Sequence, residues 1–347
     1  MDSGEMVEEG SNKVTDFPHF DVLSGDSAYS DHHYNQSNKS RKVQGSFSNP
    51  NSNVSKTIAK EWRILQKNLP ESIYVRAYEN RMDLLRAVII GSPGTPYHDG
   101  LFFFDIVLPS DYPNQPPKVY YHSHGMRLNP NLYNSGYVCL SLLKTWYGAG
   151  VELWTKNSTL LQLLVSLQGL VLNDKPYFNE PAYGKGLKNM NESWRKASMA
   201  YNEDVFIYSC KTMLHKMKNP PKGFEDFVAA HFRSRGESIL AAITAYKNGE
   251  AILGQYKKEA VVGATVSTAS NLGASKKFRS NLSKIHSDLK SALRTISHSA
   301  MMSQNGKEKC EEVAAPDTTM AGQGSAERKP EELFGKFLKF LKRTIGC

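Results

Sequence analysis

From Val54 onward, apolar residues recur at helical spacing. Ile58, Trp62, Leu65 and Leu69 share one face, with Lys60, Glu61, Arg63 and Lys67 between them, and Pro70 limits the helix. The pattern then shortens. Runs at 73–77, 84–90, 101–108 and 118–122 read as four strands, and the turn formers of Gly91 to Gly100 lie between the second and third. Their connections are too short for parallel crossovers, so they predict an antiparallel meander behind the first helix. Residues 123–156 show no period, and so long a loop inside a compact domain is usually functional.

Periodicity returns with Leu160, Leu161, Leu164, Leu167 and Leu170 on one face, Ser158 or Thr159 being the N-cap. After a polar, proline-punctuated loop (NDKPYFNEPAYG), residues 192–218 read as a helix through Trp194, Tyr201, Val205, Ile207, Tyr208, Met213 and Leu214. Residues 224–256 read as one or two more, broken near Arg235 and Gly236. Beyond them the chain is rich in Ser, Ala and Gly, with a weak amphipathic pattern over 278–296. Residues 1–53 are rich in Ser, Asn, Asp and Gly and poor in aliphatics, which predicts disorder.

Charge separates the two ends of the 347-residue chain. Residues 1–53 hold four Lys/Arg against eight Asp/Glu, and residues 254–347 hold sixteen against nine. A solvated tail accounts for this basic excess, and no helix-turn-helix, zinc-finger or RNA-binding pattern points to specific nucleic-acid binding. The run Lys39 to Lys42 is a weak nuclear-import signal. The last residues, EELFGKFLKFLKRTIGC, put Leu333, Phe334, Phe337, Leu338, Leu341 and Ile345 on one stripe among lysines. Such a helix suits a membrane surface, a partner's groove or the chain's own core. Cys347 is the last residue and so not a prenylation site, though acylation there is conceivable.

Four scattered cysteines, Cys139, Cys210, Cys310 and Cys347, form no CxxC pair, so neither a zinc cage nor a disulfide framework is expected, and the usage suits a reducing compartment. No apolar run approaches the roughly 18 residues of a membrane span. The acidic start, MDSGEMVEEG, is not that of a secretory signal. The expected location is cytoplasmic, nuclear or both.

The chemistry concentrates between Tyr112 and Trp154. There Asn131 precedes Cys139 by eight residues. A thiol can carry an acyl group as a thioester, and an asparagine amide can hydrogen-bond the oxyanion formed when that thioester is attacked. Residues 56–215 resemble the ubiquitin-conjugating enzymes. GSPGTPYHDGLFFFDIVLP is similar to that family's Gly-Thr-Pro-Tyr-x-x-Gly-x-Phe segment, YPNQPP to its Tyr-Pro-x-x-Pro-Pro turn, and NPNLYNSGYVCLSLL to its His-Pro-Asn segment and cysteine. Trp154 and the leucine-rich helix match its tryptophan and second helix.

The resemblance implies that Cys139 accepts ubiquitin's C-terminal carboxylate in thioester linkage from the ubiquitin-activating enzyme. It implies that Asn131 stabilises the oxyanion or holds the loop in shape, and that Glu180 orients the incoming lysine and favours its deprotonation, with Asn179 or Asp174 as alternatives. No cofactor is expected to bind, since ATP is consumed by the upstream enzyme. Partners would be ubiquitin, its activating enzyme, and a ligase or a direct protein substrate.

Several positions depart from the family pattern. Asn129 replaces the histidine of His-Pro-Asn, Ser141 an acid, and Asn114 an apolar ligase-docking residue; Thr155-Lys156-Asn157 replaces Ser-Pro-Ala. The segment between Cys139 and Trp154 is long, and Gly148 and Gly150 suggest a mobile flap over the thioester. LNPNLY, CLSLL, the long insertion and PYFNEP together resemble the family's large, extended branch, in which some members join conjugating and ligase-like functions.

The expected fold is therefore α+β, an N-terminal helix, a four-stranded antiparallel meander, a long catalytic loop and C-terminal helices with flexible flanks. Residues 1–53 form a disordered arm, 54–218 the catalytic core, 219–258 a helical extension, and 259–347 a mostly disordered basic tail ending in an amphipathic helix. Two rivals stand beside this reading: a non-catalytic ubiquitin-binding module on the same fold, and a cysteine hydrolase using His122 or His124.

Overall fold

The computed structural model describes residues 17–35, 52–183, 190–253 and 274–307. Helix α1, Asn53–Asn68, starts where the Ser52 hydroxyl accepts the Ser55 N–H, and Ile58 and Leu65 of its apolar stripe are fully buried. Strands β2 (Ile73–Tyr78), β3 (Leu84–Ile90), β4 (Leu101–Val107) and β5 (Lys118–Tyr121) follow and pair antiparallel in sequence order. This is the predicted meander.

The sheet nevertheless has five strands rather than four, and it is mixed. Strand β1, Phe20–Leu23, lies parallel to β2 in the register Phe20 to Val75, and helix α1 lies in the connection between the two. The expectation of disorder across 1–53 thus fails for 17–35. Averaged composition hides what anchors this piece, since it brings few aliphatics. It brings instead Phe17, over which the Arg76 guanidinium lies at 3.9 Å, and Asp31 and His32, which enter a buried ionic cluster.

Helix α2, Leu160–Ser166, is capped by Thr159, whose hydroxyl accepts the Gln162 N–H while the Gln162 side chain accepts the Thr159 N–H. It runs on into a π-helical turn, Leu167–Val171. Three longer helices follow: α3 (Glu192–Lys218), α4 (Glu225–Asn248) and α5 (Lys276–Lys307). Helix α4 passes through Gly236 without the predicted break. A Cβ there would meet the Leu293 side chain at 2.9 Å, so this glycine serves the close approach of α5 rather than a turn. The helix ends instead at Gly249, whose φ is 75°. Helix α5 bears out the amphipathic pattern over 278–296 and gives order to that part of the tail, with Phe278, Leu282, Ile285 and Leu289 buried against the rest of the chain.

Both faces of the sheet are covered. One face (Val75, Ala77, Leu85, Ala87, Ile89, Phe102, Phe104 and Ile106) packs on α1 and α2. On the other, Tyr74, Val88, Leu101 and Phe103 share a second core with α3, α4 and α5. The side chains of β2 are accordingly buried along the whole strand, a pattern expected only when both faces are dry. The proposed boundary between core and extension therefore runs through a single packed unit. The Lys39 to Lys42 run, the C-terminal amphipathic stripe, Cys310 and Cys347 lie outside the described residues. Among the described residues, no helix is long and apolar enough to cross a membrane.

Candidate active site

Cys139 sits in the irregular stretch after β5. A tight turn delivers it there: Gly136 N–H donates to Tyr133 O, and Gly136 O accepts the Tyr121 N–H at 2.8 Å, tying the loop to β5. Asn131 is brought alongside by reciprocal bonds. Cys139 N–H donates to Asn131 O at 2.9 Å, and Asn131 Nδ2 donates to Cys139 O at 2.8 Å. The sequence left Asn131 either as an oxyanion donor or as a brace, and in this geometry its amide braces the cysteine backbone.

Behind this pair lies a network of side-chain amides that the sequence reading missed. Asn129, fully buried, accepts the Asn131 N–H on Oδ1 at 2.8 Å and donates through Nδ2 to Tyr97 Oη at 2.8 Å and Val171 O at 2.7 Å. Tyr97 Oη passes its own proton to Leu128 O at 2.9 Å. Asn179 Nδ2 also reaches Asn129 Oδ1, and Asn179 Oδ1 accepts from Asn173. Asn129 thus fills the place of the family's histidine with four hydrogen bonds, linking the cysteine loop to the end of the π turn and to the loop carrying Glu180. Only the identity of Asn129 as a departure was visible in sequence. The partners come from loops 30 to 50 residues apart, which no periodicity signals.

The three acid-loop candidates fall differently. Asn179 is committed to that network. Asp174 lies at the surface beside Lys175, 3.7 Å away. Glu180 is near enough to Cys139 for its charge to act on the thiol. Burial, with Cys139 only 4 % exposed, and then the Glu180 charge push the thiol's pKa up, so the resting residue is a protonated thiol. Its Sγ–H donates to Thr145 O at 3.0 Å. Neither histidine of the hydrolase reading touches it. His122 Nε2 lies 3.1 Å from Asp105, and the His124 ring stacks on His215 at 3.7 Å. Among the described residues, no group of His, Cys, Asp or Glu is placed to hold a metal ion.

The residues after Cys139 fold back over it. Ser141 Oγ–H donates to Tyr147 O, and Gly148 approaches Ser141 so closely that a Cβ would lie 2.6 Å from its side chain. Glycine is required here for contact, so the expected flap is a piece of chain fastened over the cysteine. Tyr147 at its tip is 92 % exposed.

The Tyr-Pro turn supports the loop from below. The Trp154 indole N–H donates to Pro113 O at 2.9 Å, and the Tyr112 hydroxyl donates to Glu61 Oε1 on α1 at 2.7 Å. Glu61 Oε2 accepts the Leu160 N–H at 3.0 Å, at the first residue of α2. One buried carboxylate thereby ties together α1, the turn and the helix after the cysteine loop.

A three-layered α+β scaffold, with helices on both faces of the sheet, holds one thiol in a braced, irregular loop, an arrangement compatible with carrying an acyl group on sulfur. The family model described as ubiquitin-conjugating enzyme matches residues 57–208. The chain is 49 % identical over 272 residues to putative ubiquitin-conjugating enzyme E2 38 of Arabidopsis thaliana, the match spanning 78 % of each chain. It is 54 % identical over 242 residues to probable ubiquitin-conjugating enzyme E2 23 of the same plant, covering 70 % of this chain but 22 % of that one. To the dual E2 ubiquitin-conjugating enzyme/E3 ubiquitin-protein ligase BIRC6 of Homo sapiens it is 37 % identical over 219 residues, covering 60 % of this chain and 4 % of that one. The chain belongs to the ubiquitin-conjugating enzyme family, transferases that work through a thioester intermediate. It spans only a fraction of the length of several of the curated relatives it matches.

Proposed function

We propose that this chain accepts ubiquitin from the ubiquitin-activating enzyme as a thioester on Cys139 and passes it to lysine amines of substrate proteins or of a ligase. The observation that carries this reading is the reciprocal hydrogen bonding of Cys139 and Asn131 inside the segment matched by the family. The thiol is protonated at rest and has no histidine base, so it loses its proton only when the activated ubiquitin is presented. Attack by the thiolate forms the new C–S bond and breaks the old one, and the leaving thiolate of the activating enzyme takes up the proton that Cys139 gave up. In the second step a lysine amine attacks, the C–N bond forms, the C–S bond breaks, and the leaving thiolate takes up a proton.

Asn131 acts in this scheme by fixing the Cys139 backbone, with its second amide hydrogen available to the oxyanion. Glu180 orients the incoming lysine and favours its deprotonation. ATP is spent by the activating enzyme, and no cofactor is needed on this chain. The scattered cysteines support action in the cytoplasm or nucleus. The likeness to a dual E2/E3 protein supports substrate choice by the chain itself, without a separate ligase.

Loading tests the reading. The chain is incubated with ATP, ubiquitin and activating enzyme beside Cys139→Ser. A reductant-sensitive adduct on the wild type, replaced on the variant by a stable ester or by nothing, supports it. An unloaded wild type that still binds ubiquitin would favour the non-catalytic module instead.

A further inference from the structure

Thr145 makes more bonds to the cysteine loop than any residue the sequence singled out. Its Oγ1 accepts the Leu140 N–H at 2.9 Å and donates to Val138 O at 2.8 Å, the residues on either side of Cys139. Its own N–H reaches Leu140 O at 3.3 Å, and its carbonyl accepts the Cys139 Sγ–H at 3.0 Å. The preceding residue, Lys144, takes a left-handed conformation, φ 57°, which turns the chain back toward the cysteine. The next residues are fastened by the Ser141 to Tyr147 bond and by the close approach of Gly148 to Ser141.

We infer that Thr145 is a positioning residue for thioester formation: its hydroxyl stitches the two flanks of Cys139 together and holds its own carbonyl where the resting thiol parks. The inference rests on the thioester reading above. Parking has a consequence that bracing alone would lack. A thiol donating to a carbonyl under a fastened flap is screened from small electrophiles. Charging requires Sγ to leave that carbonyl while the stitched backbone keeps the sulfur in line with the incoming acyl group. The hydroxyl is the part that matters, because any residue supplies the carbonyl, whereas only Ser or Thr supplies a donor and an acceptor together at this reach.

Thr145→Val keeps the shape and removes the hydroxyl, and Thr145→Ser keeps the hydroxyl and removes the methyl. Two readouts are taken on the full chain. One is the rate of ubiquitin loading. The other is alkylation by iodoacetamide, mapped residue by residue, with fully buried Cys210 as an internal reporter of general opening.

For Thr145→Val, loading is expected to slow by roughly ten- to a hundredfold, the scale of a small misplacement of a reacting group. Cys139 alkylation is expected to quicken several-fold while Cys210 stays protected, and Thr145→Ser should follow the wild type in both. Wild-type and Val chains that load and alkylate alike would overturn the inference, and so would Cys210 opening together with Cys139. If the wild type alkylates normally but never loads, the thioester reading fails, while the alkylation contrast still decides whether Thr145 parks the thiol.

Discussion

The Nζ of Lys216, near the end of α3, lies 3.2 Å from Nδ1 of His122, just beyond β5, and Lys216 is only 1 % exposed. Burial pushes the lysine down to about 7, with Arg86 adding to it, and burial pushes His122 down to about 4 against the pull of Asp105. Both are bases that give up their proton on folding. The unfolded chain therefore binds more protons in the windows from about 4 to 6.5 for His122 and from about 7 to 10.5 for Lys216, and stability rises with pH through each. Lys216→Met should flatten the upper window. Urea midpoints between pH 7 and 9 check this: the wild type climbs and the variant stays level.

Asp105 anchors the same cluster. Arg86 grips it through Nε to Oδ1 at 2.6 Å and through its second terminal nitrogen to Oδ2 at 3.0 Å, and the His33 N–H also donates to Oδ2 at 2.7 Å. Burial opposes its ionisation, yet His122 and Arg86 outweigh that and hold the carboxyl well below the ordinary range. Asp105→Asn leaves Arg86 as a buried charge with only Asp31, itself partly exposed, to answer it. A loss of about 3–5 kcal/mol is expected. Limited proteolysis should also find the 17–35 segment cleaved sooner, since three of its residues, Asp31, His32 and His33, hold on through this cluster.

Glu61 carries an opposite pH signature. Burial raises its pKa to about 7, partly offset by the hydrogen bonds from Tyr112 and Leu160. An acid whose folded pKa is raised binds its proton more tightly when folded, so its contribution is fullest below 4.5 and is lost as pH rises through about 7. Tyr112→Phe removes one of those bonds, at an expected cost of about 1–3 kcal/mol, and steepens the loss above neutrality. Thermal unfolding at pH 5 and pH 8 measures both effects.

Gly136 tests the delivery of the thiol. Its φ is 86°, and an added Cβ would sit 2.1 Å from the Tyr120 ring. Gly136→Ala therefore meets both backbone strain and a collision, and should cost upwards of about 2 kcal/mol. Loading should fall further than stability alone explains, because the turn sets the approach of Val138 and Cys139. Loading rates at a temperature where variant and wild type are both folded separate the two effects.

Much of the fold was legible because each element announces itself. The bounds of β3, 84–90, and of α3, 192–218, are those the pattern predicts. Cys139 and Asn131 were legible from order and spacing within one segment. The failures share a cause. Strand β1 has four residues and no alternation of its own, and its place depends on Arg76, Arg86 and Asp105 far along the chain. Gly236 reads as a breaker until Leu293 is seen against it. Asn129 and Thr145 act through hydrogen bonds that only the folded loop creates.

The second core has a consequence for what can be inherited or expressed on its own. A fragment ending at Lys218 would keep Phe206, Ile207 and Met213 of α3 over this face but strip Phe224 from Phe103 and Phe227 from Tyr74, baring aromatic surface that favours self-association. The packed unit among the described residues is thus larger than the family match at 57–208, running from the segment at Phe17 to helix α5. Mutations in these outlying helices should be read as lesions of the enzyme core itself.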